Sequence, residues 1–209
     1  MNHKFTFSFF MLVLGFACGC GAGRPSKYYQ LTIPDTPPAK ADVHRYPVKL
    51  LLGPITSSDL YRGDRIVYSS SGRTMGTYEY QRWVGPPTEM IQDVLSRELR
   101  SSGLYRTVYS WSSNAHGDYR LLGKLYDFKE VSGNTLVGRV TLELELRETK
   151  TGSTVWTHHY THDEPVNGKD VPAVVEALDR NVQRGVNEFM ASLDQYFSAH
   201  LPASTTASP

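Results

Sequence analysis

Cysteine is almost missing from this chain. Only two of the 209 residues are cysteine, and both, Cys18 and Cys20, lie within the first twenty positions. The rest of the chain therefore forms no disulfide and depends on a packed core. An excess of charge of one sign is missing as well, since 22 Lys and Arg stand against 21 Asp and Glu, for a net charge of +1. Proteins that bind nucleic acid usually carry a basic patch, so the composition argues against a nucleic-acid partner.

A long hydrophobic run is the third absence. The longest apolar stretch, residues 5–17, is shorter than the roughly 20 residues that a membrane-spanning helix needs. It follows Lys4 and ends in small residues, which is the layout of a secretory signal peptide. We therefore predict a signal peptide over residues 1–19.

The position of the two cysteines is typical of a bacterial lipoprotein. In such proteins a cysteine after the signal peptide receives acyl chains, such as palmitate, and becomes the mature N-terminus. We favour Cys20, which has the small Ala17 three positions before it, and keep Cys18, which has the bulky Phe16 two positions before it, as the alternative. A disulfide between them is disfavoured, because so tight a turn rarely meets disulfide geometry. Residues 20–27 would then form a tether to a membrane. The anchoring is stable once two or more acyl chains are attached.

The pattern of apolar residues after the tether predicts eight strands. The clearest is residues 135–148, where Leu142 and Leu144 lie on one face and Glu143 on the other. The continuous apolar run 48–52 predicts a central strand that is buried on both faces. The predicted strands cover residues 28–33, 48–52, 65–68, 77–83, 104–109, 119–131, 135–148 and 153–163.

Two helices are predicted from apolar residues spaced three and four apart. The first covers 88–102, with Thr88 as its N-cap and Gly103 placed to end it. The second covers 171–200 and contains Gly185. Glycine costs about 1 kcal/mol inside a helix, so we expect Gly185 to pack closely against the sheet.

These elements predict one domain, residues 28–201, of the α/β (α+β) class. The two helices are far apart in sequence and separated by strands, so the economical arrangement is a mixed, mostly antiparallel sheet with both helices packed on one face. Residues 202–209 are polar and predicted to be a disordered tail.

Motifs for catalysis are missing. The chain has no Gly-x-Ser-x-Gly segment, and the glycine-containing stretch 72–76 lacks the spacing of a phosphate-binding loop. The best metal candidate is the pair His158 and His162, which share one face of a predicted strand, but no pattern indicates a third ligand. We therefore predict no catalytic residue, no metal and no cofactor.

Aromatic and arginine side chains alternate in the first third of the chain, and these residue types are enriched at protein interfaces. The equally weighted alternative is that the aromatic residues simply cover the sheet. The candidate partner-binding residues are Tyr61, Arg62, Arg65, Tyr68, Tyr80, Arg82 and Trp83.

Several segments, taken in order, resemble the ABC-type transport auxiliary lipoprotein family, the PqiC-like lipoproteins. No single motif is diagnostic, and the order and spacing of the segments carry the resemblance over nearly the whole mature chain. The segments are Cys20 followed by KYYQL at 27–31, LLGPI at 51–55, YRGDRIVY at 61–68, YQRWVGP at 80–86 before a helix, and DYRL at 118–121 before a C-terminal helix.

The resemblance implies a lipoprotein that faces the periplasm from the outer membrane; the inner membrane is the less favoured location. Ala22, two positions after Cys20, is not the Asp that retains lipoproteins at the inner membrane in enteric bacteria. The implied partners are an MCE-domain protein that carries lipid and an inner-membrane ABC permease with its ATPase. The implied role is docking during intermembrane lipid transport, with copies arranged in a ring. The family offers no catalytic residues to carry over.

Two other functions fit the sequence. One is an envelope lipoprotein that binds a cell-wall synthesis machine. The other is an envelope hydrolase or metal enzyme that uses the segment from His158 to Glu164. The partner retained on purification separates the first from the transport function, and the metal content of a His158→Ala, His162→Ala variant tests the second.

Overall fold

A computed structural model describes residues 24–33, 35, 44–70 and 73–201. The predicted signal peptide, both cysteines and the predicted tail at 202–209 lie outside these residues. None of the helices in the described ranges is both long enough and apolar enough to cross a bilayer.

Eight strands and two helices form the described domain, with a short 3-10 helix at Asp59–Tyr61 between the second and third strands. The second helix, Val171–His200, begins and ends where the spacing of apolar residues predicts. The strands are β1 Lys27–Tyr29, β2 Tyr46–Ser57, β3 Arg65–Ser70, β4 Thr74–Trp83, β5 Tyr105–Ser110, β6 Tyr119–Ser132, β7 Leu136–Glu148 and β8 Thr154–Pro165, and the helices are α1 Pro87–Ser101 and α2 Val171–His200.

Strand β6 lies at the centre of the sheet and makes it fork. One edge of β6 pairs with β7 in antiparallel fashion along its length. The other edge pairs in parallel with β2 near Tyr119 and with β3 near Lys129. Strand β5 continues the sheet beyond β2, β4 and β1 continue it beyond β3, and β8 lies outside β7. The antiparallel ladders hold most of the paired residues, so the predicted mixed, mostly antiparallel sheet is confirmed.

The core lies between one face of this sheet and both helices, as predicted. Leu142 and Leu144 of β7 are buried there, whereas Glu143 lies on the face without helices. Gly185 of α2 packs so closely that a Cβ at this position would stand 2.9 Å from Cε1 of Tyr160 on β8. The close packing expected at Gly185 is therefore confirmed.

Several local predictions differ from the structure, and β2 extends beyond the predicted 48–52 at both ends. Helix α1 begins at Pro87 with Pro86 as its N-cap, so Thr88 as the N-cap is wrong. A proline is tolerated at the first position of a helix, because the N–H that it lacks would have no partner within the helix. Strand β1 is shorter than predicted, because the pairing with β4 ends at Tyr29. Gly103 follows α1 with a φ of 64°, as expected of a residue that ends a helix.

Candidate partner-binding surface

The predicted binding residues gather on the 3-10 helix and the β3–β4 hairpin. Arg65 of β3 and Arg82 of β4 are direct partners in the antiparallel ladder. Two cations at such positions repel each other, and Asp64 offsets this by binding the Arg82 guanidinium at 2.8 Å. Within the described residues no carboxylate lies within 4.0 Å of Arg65, which is exposed. Arg65 is thus free to bind an acidic group of another molecule.

Two of the predicted residues support this surface from below. Tyr61 is 2% exposed and Trp83 is 1% exposed, so neither offers contact area to a partner in this conformation. The Trp83 ring packs 5.2 Å from the ring of Phe128 on β6. The backbone N–H of Trp83 donates to the carbonyl oxygen of Asp64 at 2.6 Å. Trp83 therefore fixes the segment that carries Arg65 and Arg82.

The remaining predicted residues are at least partly exposed. Arg62, whose side chain is 73% exposed, pairs with Asp59 at 2.9 Å across the 3-10 helix. Tyr68 is half-buried and packs against Tyr78, with ring centroids 5.1 Å apart. Tyr80 is also half-buried.

Tyr80 lies beneath a cation from the N-terminal segment. The guanidinium of Arg24 stands 5.6 Å from the centroid of the Tyr80 ring. A cation over an aromatic face is attracted by the electrons of the ring. This contact lies beyond β1, on the outer edge of β4, and so extends the aromatic and arginine surface towards the start of the described chain.

Sequence reasoning missed a group of buried charges near Tyr61. Lys129 is only 7% exposed, and its ammonium lies 2.5 Å from Asp127. The hydroxyl of Tyr61 donates to the same carboxylate at 3.5 Å. Burial, with the negative charge of Asp127, raises the pKa of Tyr61 to about 12. The phenol stays protonated at neutral pH, where it is a hydrogen-bond donor and no nucleophile. A lysine on the face of a strand that carries no helix is normally expected to be exposed. The sequence pattern of β6 therefore gave no indication that Lys129 is buried against Asp127.

A second ion pair lies beside these charges. Arg139 of β7 donates two hydrogen bonds of 2.6 Å to Asp163 of β8, its direct ladder partner. This bidentate contact lowers the pKa of Asp163. The pair joins two strands on the helix-free face of the sheet.

The two candidate histidines of β8 contact polar groups of α2 and of β8 itself. The ring nitrogens of His158 lie 3.0 Å from Ser192 and 3.0 Å from Glu188, both on α2. Nε2 of His162 lies 3.4 Å from Glu164. Across the described ranges, no three His, Cys, Asp or Glu side chains are grouped so as to hold a metal ion.

This arrangement is that of an α+β domain in which five of the seven predicted binding residues are at least partly exposed. The family model for the ABC-type transport auxiliary lipoprotein component matches residues 29–189. The chain belongs to this family, which is one of transport auxiliary lipoproteins and is not a known enzyme family. The resemblance read from the sequence is confirmed. No curated protein matches the chain.

Solved structures share the fold at low sequence identity. The crystal structure of protein XCC0632 from Xanthomonas campestris is 18% identical, with a TM-score of 0.72 over 83% of this chain and 98% of that one. An uncharacterised protein is 14% identical, with a TM-score of 0.65 over 81% and 99%. Hypothetical protein CT253 from Chlamydia trachomatis is 10% identical, with a TM-score of 0.54 over 74% and 100%.

Proposed function

We propose that this protein is an outer-membrane lipoprotein, anchored through Cys20, that docks an MCE-domain protein during intermembrane lipid transport. An inner-membrane ABC permease and its ATPase complete the system. The family match over residues 29–189 carries the proposal, because it spans almost the whole described domain. The ring of copies that the resemblance implies stays a prediction.

The β3–β4 surface is the proposed docking site. It combines exposed Arg62 and Arg65 with the partly exposed side chains of Tyr68 and Tyr80. Arginine and tyrosine combine apolar area with hydrogen-bond donors, which is why they dominate binding energy at many interfaces. Because no carboxylate in the described part of the chain lies within 4.0 Å of the exposed Arg65, the surface favours a partner that presents carboxylates next to apolar side chains.

The buried residues beneath the surface support the same function. Trp83 holds the Asp64 backbone, and the Asp64 side chain orients Arg82. A guanidinium that is already held in place loses less conformational freedom when a partner binds. Arg82 is therefore already oriented when a partner binds, which supports a docking role for this surface.

Cross-linking in intact cells, followed by affinity purification and mass spectrometry, tests the proposal. We expect an MCE-domain protein to be recovered with the wild type and to be reduced with an Arg62→Ala, Arg65→Ala variant. Arg106→Ala is the matched control, since Arg106 is exposed on β5 at a different edge of the forked sheet. Recovery of cell-wall enzymes without any transporter component would contradict the proposal.

A further inference from the structure

The first strand determines how far the lipid anchor can lie from the domain. Lys27 of β1 pairs in parallel with Gln81 of β4. Cys20 precedes Lys27 by seven residues, and Thr74, the first residue of β4, precedes Gln81 by the same number. The tether therefore leaves β1 towards the start of β4, and it has the same number of residues as the part of β4 that extends beyond β1.

Because the tether is no longer than the part of β4 that extends beyond β1, it limits the height of the domain above a membrane. Seven residues reach at most about 25 Å, and seven residues of an antiparallel strand span about 24 Å. Even a fully extended tether thus brings Cys20 no further than the level of Thr74. Arg24, still held over Tyr80, shows that the chain follows β4 in this direction. A bilayer that holds acyl chains on Cys20 therefore lies within reach of the hairpin end of β4.

The β6–β7 turn lies at the same end of the sheet. Ser132, the last residue of β6, pairs with Ser70, the last residue of β3. The β7–β8 turn lies at the other end, because Glu148 pairs with Tyr119 at the start of β6. The domain therefore has an end near the anchor and an end far from it.

The side chains near the anchor suit a lipid surface. Met75 is 48% exposed next to the hairpin turn, and Arg73 is an exposed basic residue beside it. Tyr28 is 62% exposed but lies level with Arg82 at the base of the hairpin. Glu79, between the two ends of β4, is an exposed acid. Apolar and aromatic side chains with neighbouring cations are favoured at the level of lipid headgroups, where the cations meet phosphates.

We propose that the hairpin end of β4, with Met75 and Arg73, rests on the lipid headgroups of the membrane that holds the anchor. This inference rests on the proposed anchoring through Cys20 and adds a membrane-contact surface to it. The base of the hairpin, with Arg62 and Arg65, then points away from the membrane, where a docking partner can reach it.

Site-directed fluorescence quenching tests the orientation. The lipidated full chain carrying Met75→Cys is labelled with a small fluorophore and reconstituted into vesicles of phosphatidylethanolamine and phosphatidylglycerol. A fraction of the lipids carries a nitroxide on the headgroup, which quenches a fluorophore only at short range. Lys150→Cys is the matched control, because Lys150 is exposed in the β7–β8 turn at the far end. The parent protein, labelled in parallel, reports any reaction of Cys20.

We expect strong quenching at position 75 and none at position 150. Equal quenching at both positions, stronger quenching at position 150, or none at either would overturn the inference. Flotation of the vesicles is measured first on the same samples. A protein that fails to float refutes the anchoring itself, whereas one that floats without quenching at position 75 refutes only the contact surface.

Discussion

The hydroxyl of Tyr160 donates a hydrogen bond of 2.6 Å to the side-chain oxygen of Asn181. Asn181 lies in the middle of α2 and is fully buried. Its amide group donates at 2.8 Å to the carbonyl oxygens of Gly138 on β7 and His162 on β8. One polar side chain therefore joins the helix to two strands inside the apolar core and satisfies groups that water cannot reach.

Replacing the side-chain amide of Asn181 should destabilise the folded protein. We expect Asn181→Leu to lower the free energy of unfolding by about 3 kcal/mol, because it leaves buried carbonyl oxygens and a hydroxyl without their partner. Urea unfolding followed by circular dichroism measures the change. Asn187→Leu is the matched control, since Asn187 is exposed on the same helix. Equal stability of the two variants would show that the buried hydrogen bonds contribute little.

Gly185 should tolerate no side chain. In Gly185→Ala the new methyl group would stand 2.9 Å from the Tyr160 ring. The ring cannot shift without straining the hydrogen bond from its hydroxyl to Asn181. We expect overpacking of about 1–3 kcal/mol to outweigh the gain of about 1 kcal/mol in helix propensity. The melting temperature should therefore fall.

The glycine control is Gly63→Ala, where a Cβ would meet nothing within 4 Å. This variant should melt within a few degrees of the wild type. A Gly185→Ala protein that is more stable than the wild type would mean that the ring moves aside freely, contrary to the packing described.

Much of the fold follows from short-range patterns in the sequence. The alternation in β7 and the apolar stripe of α2 identify the core faces, because each repeats over many residues. The fork in the sheet does not follow, because parallel pairing of β2 and β3 with one edge of β6 joins residues far apart in sequence. Local periodicity carries no information on such pairing.

The candidate surface was predicted less completely than the fold. Composition identified the aromatic and arginine segment, but burial separates its members, and Tyr61 and Trp83 belong to the core. The charges of Asp127 and Lys129 lie near Tyr61 only because the 3-10 helix crosses that part of the sheet. Contacts of this kind depend on tertiary packing, so no spacing of residues along the sequence predicts them.

Glu164 should make stability depend on pH. Burial alone would raise its pKa, but hydrogen bonds from Arg180 at 3.2 Å and Arg184 at 3.1 Å outweigh this, and the pKa is lowered. The pKa of the neighbouring Asp163 is lowered as well. The folded protein thus binds these protons more weakly than the unfolded chain, and stability is lost as the pH falls.

The loss should begin near the ordinary carboxyl pKa, at about pH 5, and grow towards about pH 3. We expect Glu164→Gln to lower the free energy of unfolding at neutral pH by about 1–2 kcal/mol and to flatten its fall in acid. Urea unfolding at several pH values measures this. Glu176→Gln, at an exposed position of α2, is the control. An unchanged pH profile in Glu164→Gln would mean that the two arginines do not stabilise the carboxylate.

Substitutions of Trp83 and Arg65 should distinguish an effect on stability from an effect on partner binding. We expect Trp83→Ala to lower the free energy of unfolding by about 3–5 kcal/mol, because it empties the space of a buried ring packed on Phe128. Arg65→Ala removes an exposed side chain and should leave the melt unchanged while reducing capture of the partner. A circular dichroism melt beside the cross-linking assay measures both. If Arg65→Ala melts as early as Trp83→Ala, its effect on capture reflects folding and not docking.

Cys20 should hold the protein on the membrane. A serine lacks the thiol that accepts the lipid, and each buried methylene of an acyl chain contributes about 0.8 kcal/mol to membrane binding. We therefore expect Cys20→Ser to appear in the soluble periplasmic fraction, with no lipid mass on the purified chain. Cys18→Ser is the matched control and should stay in the membrane fraction. The reverse result would assign the anchor to Cys18 and lengthen the tether by two residues, which would relax the limit that β1 places on the height of the domain. Membrane retention of both single variants and of the double variant would show that another part of the chain binds the membrane.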